Sequence, residues 1–123
     1  MTARWFVLGA IFGAAGVALG AFGAHGLKSR VGADMLEIWE TAAKYQLVHA
    51  LALLATAWAA DRWPGAWTTA AGWSFATGIV LFSGSLYALV LSGVRGLGAV
   101  TPLGGLAFIA GWVCLALGAW TGR

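Results

Sequence analysis

Polar side chains follow one face of the second apolar segment, and they are the residues best suited to chemistry. That face comprises Ala42, Tyr45, Gln46, His49, Leu53 and Thr56. Polar groups cost free energy in lipid and normally face the interior of a helical bundle. His49 stands out because imidazole titrates near neutral pH. The simpler interpretation of the stripe is interhelical hydrogen bonding that fixes packing.

A second histidine, His25, lies in Gly23-Ala24-His25-Gly26, where the first apolar segment ends. We expect His25 and His49 at similar depth, where two facing imidazoles could ligate a haem or a metal, or relay protons. Because no further Cys or clustered carboxylate ligands accompany them, this site is a minor alternative and we predict no cofactor and no metal. The simpler alternative is an interfacial His25 and a core His49 bonded to a backbone or hydroxyl partner.

Glu37, Glu40 and Lys44 share one helical face just ahead of the stripe. Glu40 followed by Lys44 is the favourable i, i+4 order for an ion pair. We expect this amphipathic face in solvent or at headgroup level. The alternative is that Glu40 turns inward as a proton or cation ligand near His25.

Three hydroxyls, Ser83, Ser85 and Tyr87, lie deep in the third apolar segment. Ser83 and Tyr87 are one helical turn apart, whereas Ser85 is on a different face. Hydroxyls in a helix can bond their own backbone, so they need no function. Because no Gly-x-Ser-x-Gly elbow or assured acid–base set is present, the sequence predicts no catalytic residues and no enzyme.

The composition places these residues in a membrane. Of 123 residues, 61% are hydrophobic and 9% are charged, whereas soluble domains carry about 25% charged residues. The net charge of +3 comes from dispersed Lys and Arg, so it does not indicate a nucleic-acid partner. A single cysteine, Cys114, cannot form an intrachain disulfide.

Charged residues divide the chain into four apolar runs, which predict one all-α membrane domain over residues 1–123. The simplest arrangement is a four-transmembrane-helix bundle with up-down-up-down topology. The second run is short, and an amphipathic extension before helix 2 lengthens it. Asp34 with Glu37 is a capping-box variant that predicts a helix start, and Thr101-Pro102 predicts another. The predicted spans are about 5–25, 36–60, 66–92 and 101–121.

Small residues line the first and last segments at alternating spacings of 3 and 4. Glycine is unfavourable in a soluble helix, but small residues let membrane helices approach closely. We therefore expect two packing seams. The first segment is expected to be an uncleaved helix because it exceeds the roughly 7–15 residues of a signal-peptide h-region. The predicted packing residues are Gly9, Gly13, Gly16, Gly20, Gly23, Gly104, Gly111 and Gly118.

Four spans give the bundle two ends. Side A holds the start of span one, the connection between spans two and three, and the C-terminus; side B holds the other two connections. Lys and Arg divide nearly evenly, which favours a cytoplasmic side B only slightly. Side A has Arg4, Arg62 and Arg123, and side B has Lys28, Arg30, Lys44 and Arg95.

Ordered motifs along essentially the whole chain resemble a known family. They are Gly20-Ala21-Phe22-Gly23-Ala24-His25-Gly26-Leu27, Trp39-Glu40-Thr41-Ala42, Tyr45-Gln46 with His49-Ala50, Phe82-Ser83-Gly84-Ser85-Leu86-Tyr87, Thr101-Pro102-Leu103-Gly104-Gly105, and Gly111-Trp112. Together they resemble the YgdD-like family of small membrane proteins, also called the domain of unknown function 423 family, which has small animal transmembrane relatives. The resemblance implies an integral, multi-pass protein, in bacteria of the inner membrane. It implies no established activity, substrate or catalytic residue.

Three functions remain open. The first is a non-enzymatic module in the lipid bilayer, either a homo-oligomer or an accessory subunit of another membrane protein, without a bound small molecule. The second is a small transporter or ion-conducting protein that uses the polar stripe of helix 2. The third is a haem-, metal-, quinone- or lipid-binding protein that uses His25, His49 and Glu40, and it predicts a ligand that co-purifies.

Overall fold

The computed structural model describes residues 2–122, with side chains from residue 3, and this part of the chain is all-helical. Arg123, which was assigned to side A, lies outside the described residues. The elements are helix α1 (Thr2–Phe22) with a π-helical turn (Gly23–Leu27), α2 (Ala33–Arg62), α3 (Ala66–Gly78) with a π-helical turn (Ile79–Ser83), α4 (Gly84–Ser92), a 3-10 turn (Arg95–Ala99) and α5 (Thr101–Gly122). Helices α3 and α4 form one continuous rod.

Helix α2 occupies the centre of the bundle. It packs along α1 on one side and contacts α3, α4 and α5 on the others, while α5 pairs chiefly with α3. One buried cluster forms around Phe75 and includes Trp5, Leu53 and Phe108. A second cluster forms around Trp39 at side B and includes Leu27, Leu89 and Val90.

The hydropathy of the continuous helical segments confirms only part of the four-span prediction. Three of them, Ala3–Leu27, Ala66–Ser92 and Arg95–Gly122, are long and apolar enough to cross a membrane. Helix α2 is 30 residues long but is not apolar enough. Its polar stripe and its charged first turns lower its hydropathy. The number of apolar spans within residues 2–122 is therefore three instead of four.

At both predicted helix starts the capping differs from the sequence-based prediction. Gly32 is the N-cap of α2, and Asp34 lies in the first turn, so the capping-box prediction is wrong. Asp34 instead accepts a hydrogen bond from Arg95 at 3.2 Å. Helix α5 does begin at Thr101, but the Thr101 hydroxyl bonds Ser85 Oγ at 2.6 Å. In both places the side chain makes a tertiary contact.

The Asp34–Arg95 ion pair joins the start of α2 to the 3-10 turn, and both side chains are about two-thirds exposed. The backbone N–H of Met35, helped by the Arg95 guanidinium, holds the pKa of Asp34 below its ordinary value of 3.8. A lowered pKa contributes stability above the unfolded pKa, and that stability is lost as pH falls through the folded pKa.

We therefore expect Asp34→Asn to lower the Tm slightly at pH 7. The difference from wild type should disappear at a pH below the folded-state pKa of Asp34, which itself lies below 3.8, because both chains are then uncharged at this position. Thermal unfolding in detergent at both pH values measures this. Glu37→Gln, at a residue without an ion pair among the described residues, is the matched control. A Tm difference for Asp34→Asn that is equal at both pH values would contradict the account.

The glycines of α1 face α2 and differ in how much room they have. A Cβ built on Gly9 would lie 2.8 Å from the Ala50 carbonyl oxygen, and one on Gly16 would lie 2.8 Å from Leu47 Cδ2. Gly13 differs, because its Cβ would lie 3.9 Å from Ala50 Cβ, an ordinary contact. Close approach is therefore required at some positions of this stripe and not at others.

Candidate functional site

The polar stripe of α2 lies inside the bundle. Gln46, His49 and Thr56 are buried, since α2 is surrounded by the other helices. Tyr45 lies at the edge with 41% of its surface exposed. Thr56 donates to its own backbone, at the Ala52 carbonyl, over 2.8 Å. The stripe therefore meets protein over most of its length.

Gln46 joins three helices. Its Nε2 donates to the Phe12 carbonyl of α1 at 2.9 Å, and its Oε1 accepts from the Tyr87 hydroxyl of α4 at 2.7 Å. One turn towards side B, Ser83 Oγ donates to the Ala42 carbonyl at 2.7 Å. The structure thus brings Gln46, Ser83 and Tyr87 together, whereas Ser85 bonds Thr101 away from α2.

The contacts of His49 define its protonation. Nδ1 lies 2.8 Å from the Tyr45 carbonyl oxygen, and the Trp112 indole N–H donates to Nε2 at 3.1 Å. A carbonyl only accepts and an indole N–H only donates, so His49 is neutral with its hydrogen on Nδ1. The ring also stacks on Phe108 at a centroid distance of 3.6 Å. Neither nitrogen has a lone pair free for a metal or a substrate.

His25 and Glu40 lie apart from this network. Both are exposed, and His25 is in the π-helical turn that follows α1. Gly23 packs on Trp39, and His49 is ten residues further along α2, which is about 15 Å of helix. The structure therefore does not bring His25 and His49 to the same depth. Among the described residues no group of three His, Cys, Asp or Glu side chains is placed to hold a metal ion.

A lateral groove between α2 and α5 was not foreseen from the sequence. It has a volume of about 630 Å³ and an aromatic wall. The π-helical turn Ile79–Ser83 contributes Phe82 to this wall, and nothing in the local sequence indicates a π-helical turn there. The i, i+4 spacing of Phe108 and Trp112 was the available signal. The residues that line the groove are Tyr45, Val48, His49, Phe82, Pro102, Gly105, Leu106, Phe108, Ile109 and Trp112.

These features define a class: a helical, multi-pass membrane protein whose central helix turns paired polar side chains inward. A family model described as "Protein of unknown function (DUF423)" matches residues 19–105, and the chain belongs to this family. The resemblance found in the motifs is thereby confirmed. The chain is an integral protein of the bacterial inner membrane.

Several bacterial relatives resemble the chain over nearly its whole length. It is 47% identical over 116 residues to the UPF0382 membrane protein YwdK of Bacillus subtilis, covering 94% of each chain. It is 45% identical over 120 residues to the UPF0382 inner membrane protein YgdD of Escherichia coli, covering 97% of this chain and 92% of that protein. No solved structure matches the chain. The family is uncharacterised and has no known catalytic activity.

Proposed function

We propose that the chain is a non-enzymatic, four-helix membrane module that acts by associating with another membrane protein, most simply a second copy. The supporting observation is the internal pairing of the polar stripe. Gln46, His49 and Ser83 direct their hydrogen bonds to other helices or to the backbone. A catalytic or transporting group must meet its substrate within hydrogen-bond reach, whereas paired groups between helices stabilise packing.

In this proposal α2 also crosses the membrane, which brings the number of transmembrane helices to four. It follows α1 from the Trp39–Leu19 hydrogen bond near side B to the Gly9–Ala50 contact beyond the middle. Its charge-free stretch, residues 45–60, covers about 24 Å, which is less than the roughly 30 Å hydrocarbon core. The long stem of Lys44 makes up part of the difference by extending to the headgroups.

The lipid-facing side of the α1–α2 pair is the proposed association surface. Two shallow grooves of about 400 and 460 Å³ follow it. The larger one is lined on α1 by Gly9, Ala10, Gly13, Ala14 and Val17. Because the glycines face α2, the exposed Ala10 and Ala14 are the small residues open to a partner. Such small residues allow the backbone of a partner helix to approach closely, which is how membrane helices gain packing energy without a hydrophobic driving force.

Single-molecule photobleaching of labelled protein in lipid bilayers tests the association. We expect wild type to form a defined multimer and Ala14→Leu to dissociate it, because a leucine fills the groove. Ala110→Leu, at an exposed position on α5 outside the grooves, is the matched control and should leave the multimer intact. Monomeric wild type, or equal behaviour of the two variants, would overturn the association.

The alternative function is a small transporter or ion-conducting protein, in which His49→Ala abolishes flux. The module predicts that wild-type proteoliposomes show no proton or cation flux above protein-free liposomes. A flux that depends on His49 would overturn the module.

A further inference from the structure

We propose that the groove between α2 and α5 binds one anionic phospholipid, with an acyl chain along the aromatic wall and the phosphate beside Lys44. This site goes beyond the proposed association, which uses the α1–α2 face. Four features of the groove carry the inference: its volume, its wall, the polar group at its rim and the charge above it.

The groove has the dimensions and the lining of a ligand site. Its volume of about 630 Å³ falls within the usual range of about 300–1,000 Å³. Phe82, Phe108 and Trp112 supply an apolar wall, and His49 presents its ring while both its nitrogens are paired. Because α2 and α5 pack loosely against each other beside the tight α3–α5 pair, the groove opens sideways, towards the lipid chains.

Tyr45 supplies a hydrogen-bond donor at the rim of the groove. Its ring packs on Phe82 at a centroid distance of 4.8 Å, and no hydrogen bond from its hydroxyl is formed with the described residues. A tyrosine at the edge of a bilayer is favoured because its ring stays among the apolar chains while its hydroxyl reaches polar partners at the headgroup level. An ester or phosphate oxygen of a lipid is the acceptor that this position would receive.

Lys44 places a positive charge above the same rim. It is exposed and lies one turn before Val48, which lines the groove, so the two share a face. Helical side chains lean towards the N-terminus, which directs Lys44 to the side B headgroups. It forms no ion pair with Glu40 among the described residues. Another side B cation, Arg95, is paired with Asp34.

Together these groups match one class of occupant. A lipid with an apolar chain, an acceptor oxygen and a negative headgroup satisfies the wall, Tyr45 and Lys44 at once. A lysine near an anionic headgroup is worth about 1 kcal/mol, which corresponds to about fivefold in affinity.

Native mass spectrometry with added lipids tests the site. The probes are phosphatidylglycerol and phosphatidylcholine with identical acyl chains, titrated separately into the delipidated protein. We expect wild type to retain one phosphatidylglycerol, with about fivefold preference over phosphatidylcholine. Lys44→Gln should remove the preference, and Glu40→Gln, the matched control one turn away, should keep it. Gly105→Leu should fill the groove and reduce retention of both lipids.

Three results would overturn the lipid site: no retained lipid in wild type, equal retention of the two lipids, or a preference that survives Lys44→Gln. Circular dichroism and a melting curve establish that Gly105→Leu is folded, and Lys44→Gln tests the headgroup contact without filling the groove. The same spectra report the number of protein copies. A failure of the proposed association therefore appears in the subunit count, and a failure of the lipid site appears in the lipid adducts.

Discussion

Gly104→Ala is expected to destabilise the bundle by about 1–3 kcal/mol through overpacking. A Cβ on Gly104 would lie 2.7 Å from the Cα of Phe82 and overlap its backbone nitrogen. The obstacle is backbone of the π-helical turn, which cannot rotate away as a side chain can. Helix α5 would have to separate from the α3–α4 rod, and the contacts of Phe108 and Trp112 would loosen with it.

The neighbouring residue supplies the matched control. A Cβ on Gly105 would lie 4.0 Å from Phe82 Cδ2, so Gly105→Ala should remain within about 0.5 kcal/mol of wild type. Equilibrium unfolding in mixed micelles measures both variants. Equal stabilities would contradict the close approach of α5 to the π-helical turn.

Trp39→Ala is expected to lower the free energy of unfolding by about 3–5 kcal/mol, the usual range for truncating a buried aromatic side chain to alanine. Trp39 is 1% exposed, its Nε1 donates to the Leu19 carbonyl at 2.7 Å, and its ring packs on Tyr87 at 4.7 Å. It therefore holds α1, α2 and α4 together at side B, and its removal leaves a cavity and takes the indole donor away from the Leu19 carbonyl.

Trp58→Ala is the control for Trp39→Ala because Trp58 lies on the same helix and is 62% exposed. We expect it to change the free energy of unfolding by less than about 1 kcal/mol. Trp39→Phe removes the hydrogen bond and keeps most of the packing. Its loss of unfolding free energy should therefore fall between those of Trp58→Ala and Trp39→Ala. If Trp58→Ala is as destabilising as Trp39→Ala, the second buried cluster is not where the structure places it.

The helices themselves are readable from the sequence, because gaps between charged residues mark them and turn residues bound them. Gly93 ends α4 at a φ of +74°, a conformation that glycine adopts readily. The capping of α2 was less predictable, since Gly32 and Asp34 are both acceptable at an N-cap. The Asp34 side chain bonds the Met35 backbone and the distant Arg95, and a distant partner has no local signal.

The polar stripe was predictable as a face, but its partners were not. Periodicity places Gln46 and His49 on one side of α2, while the identity of Trp112 as the His49 donor depends on how α5 packs. The expected similar depth of His25 and His49 was wrong because Gly23, two residues before His25, packs on Trp39, which precedes His49 by ten residues on α2. The π-helical turn at Ile79–Ser83 changes which side chains face α2, and helical spacing alone cannot anticipate it.

The central claim is that the polar stripe is an internal hydrogen-bond framework, and the protonation of His49 tests it most directly. Nitrogen-15 NMR of the histidine-labelled protein in lipid bilayers at pH 7.5 distinguishes the two neutral tautomers and the charged ring. His49→Gln identifies the signal, since His25 is the other histidine. We predict a neutral ring with hydrogen on Nδ1 and a bare Nε2 whose signal changes in Trp112→Phe. A ring with hydrogen on Nε2, or a charged ring, would contradict the framework.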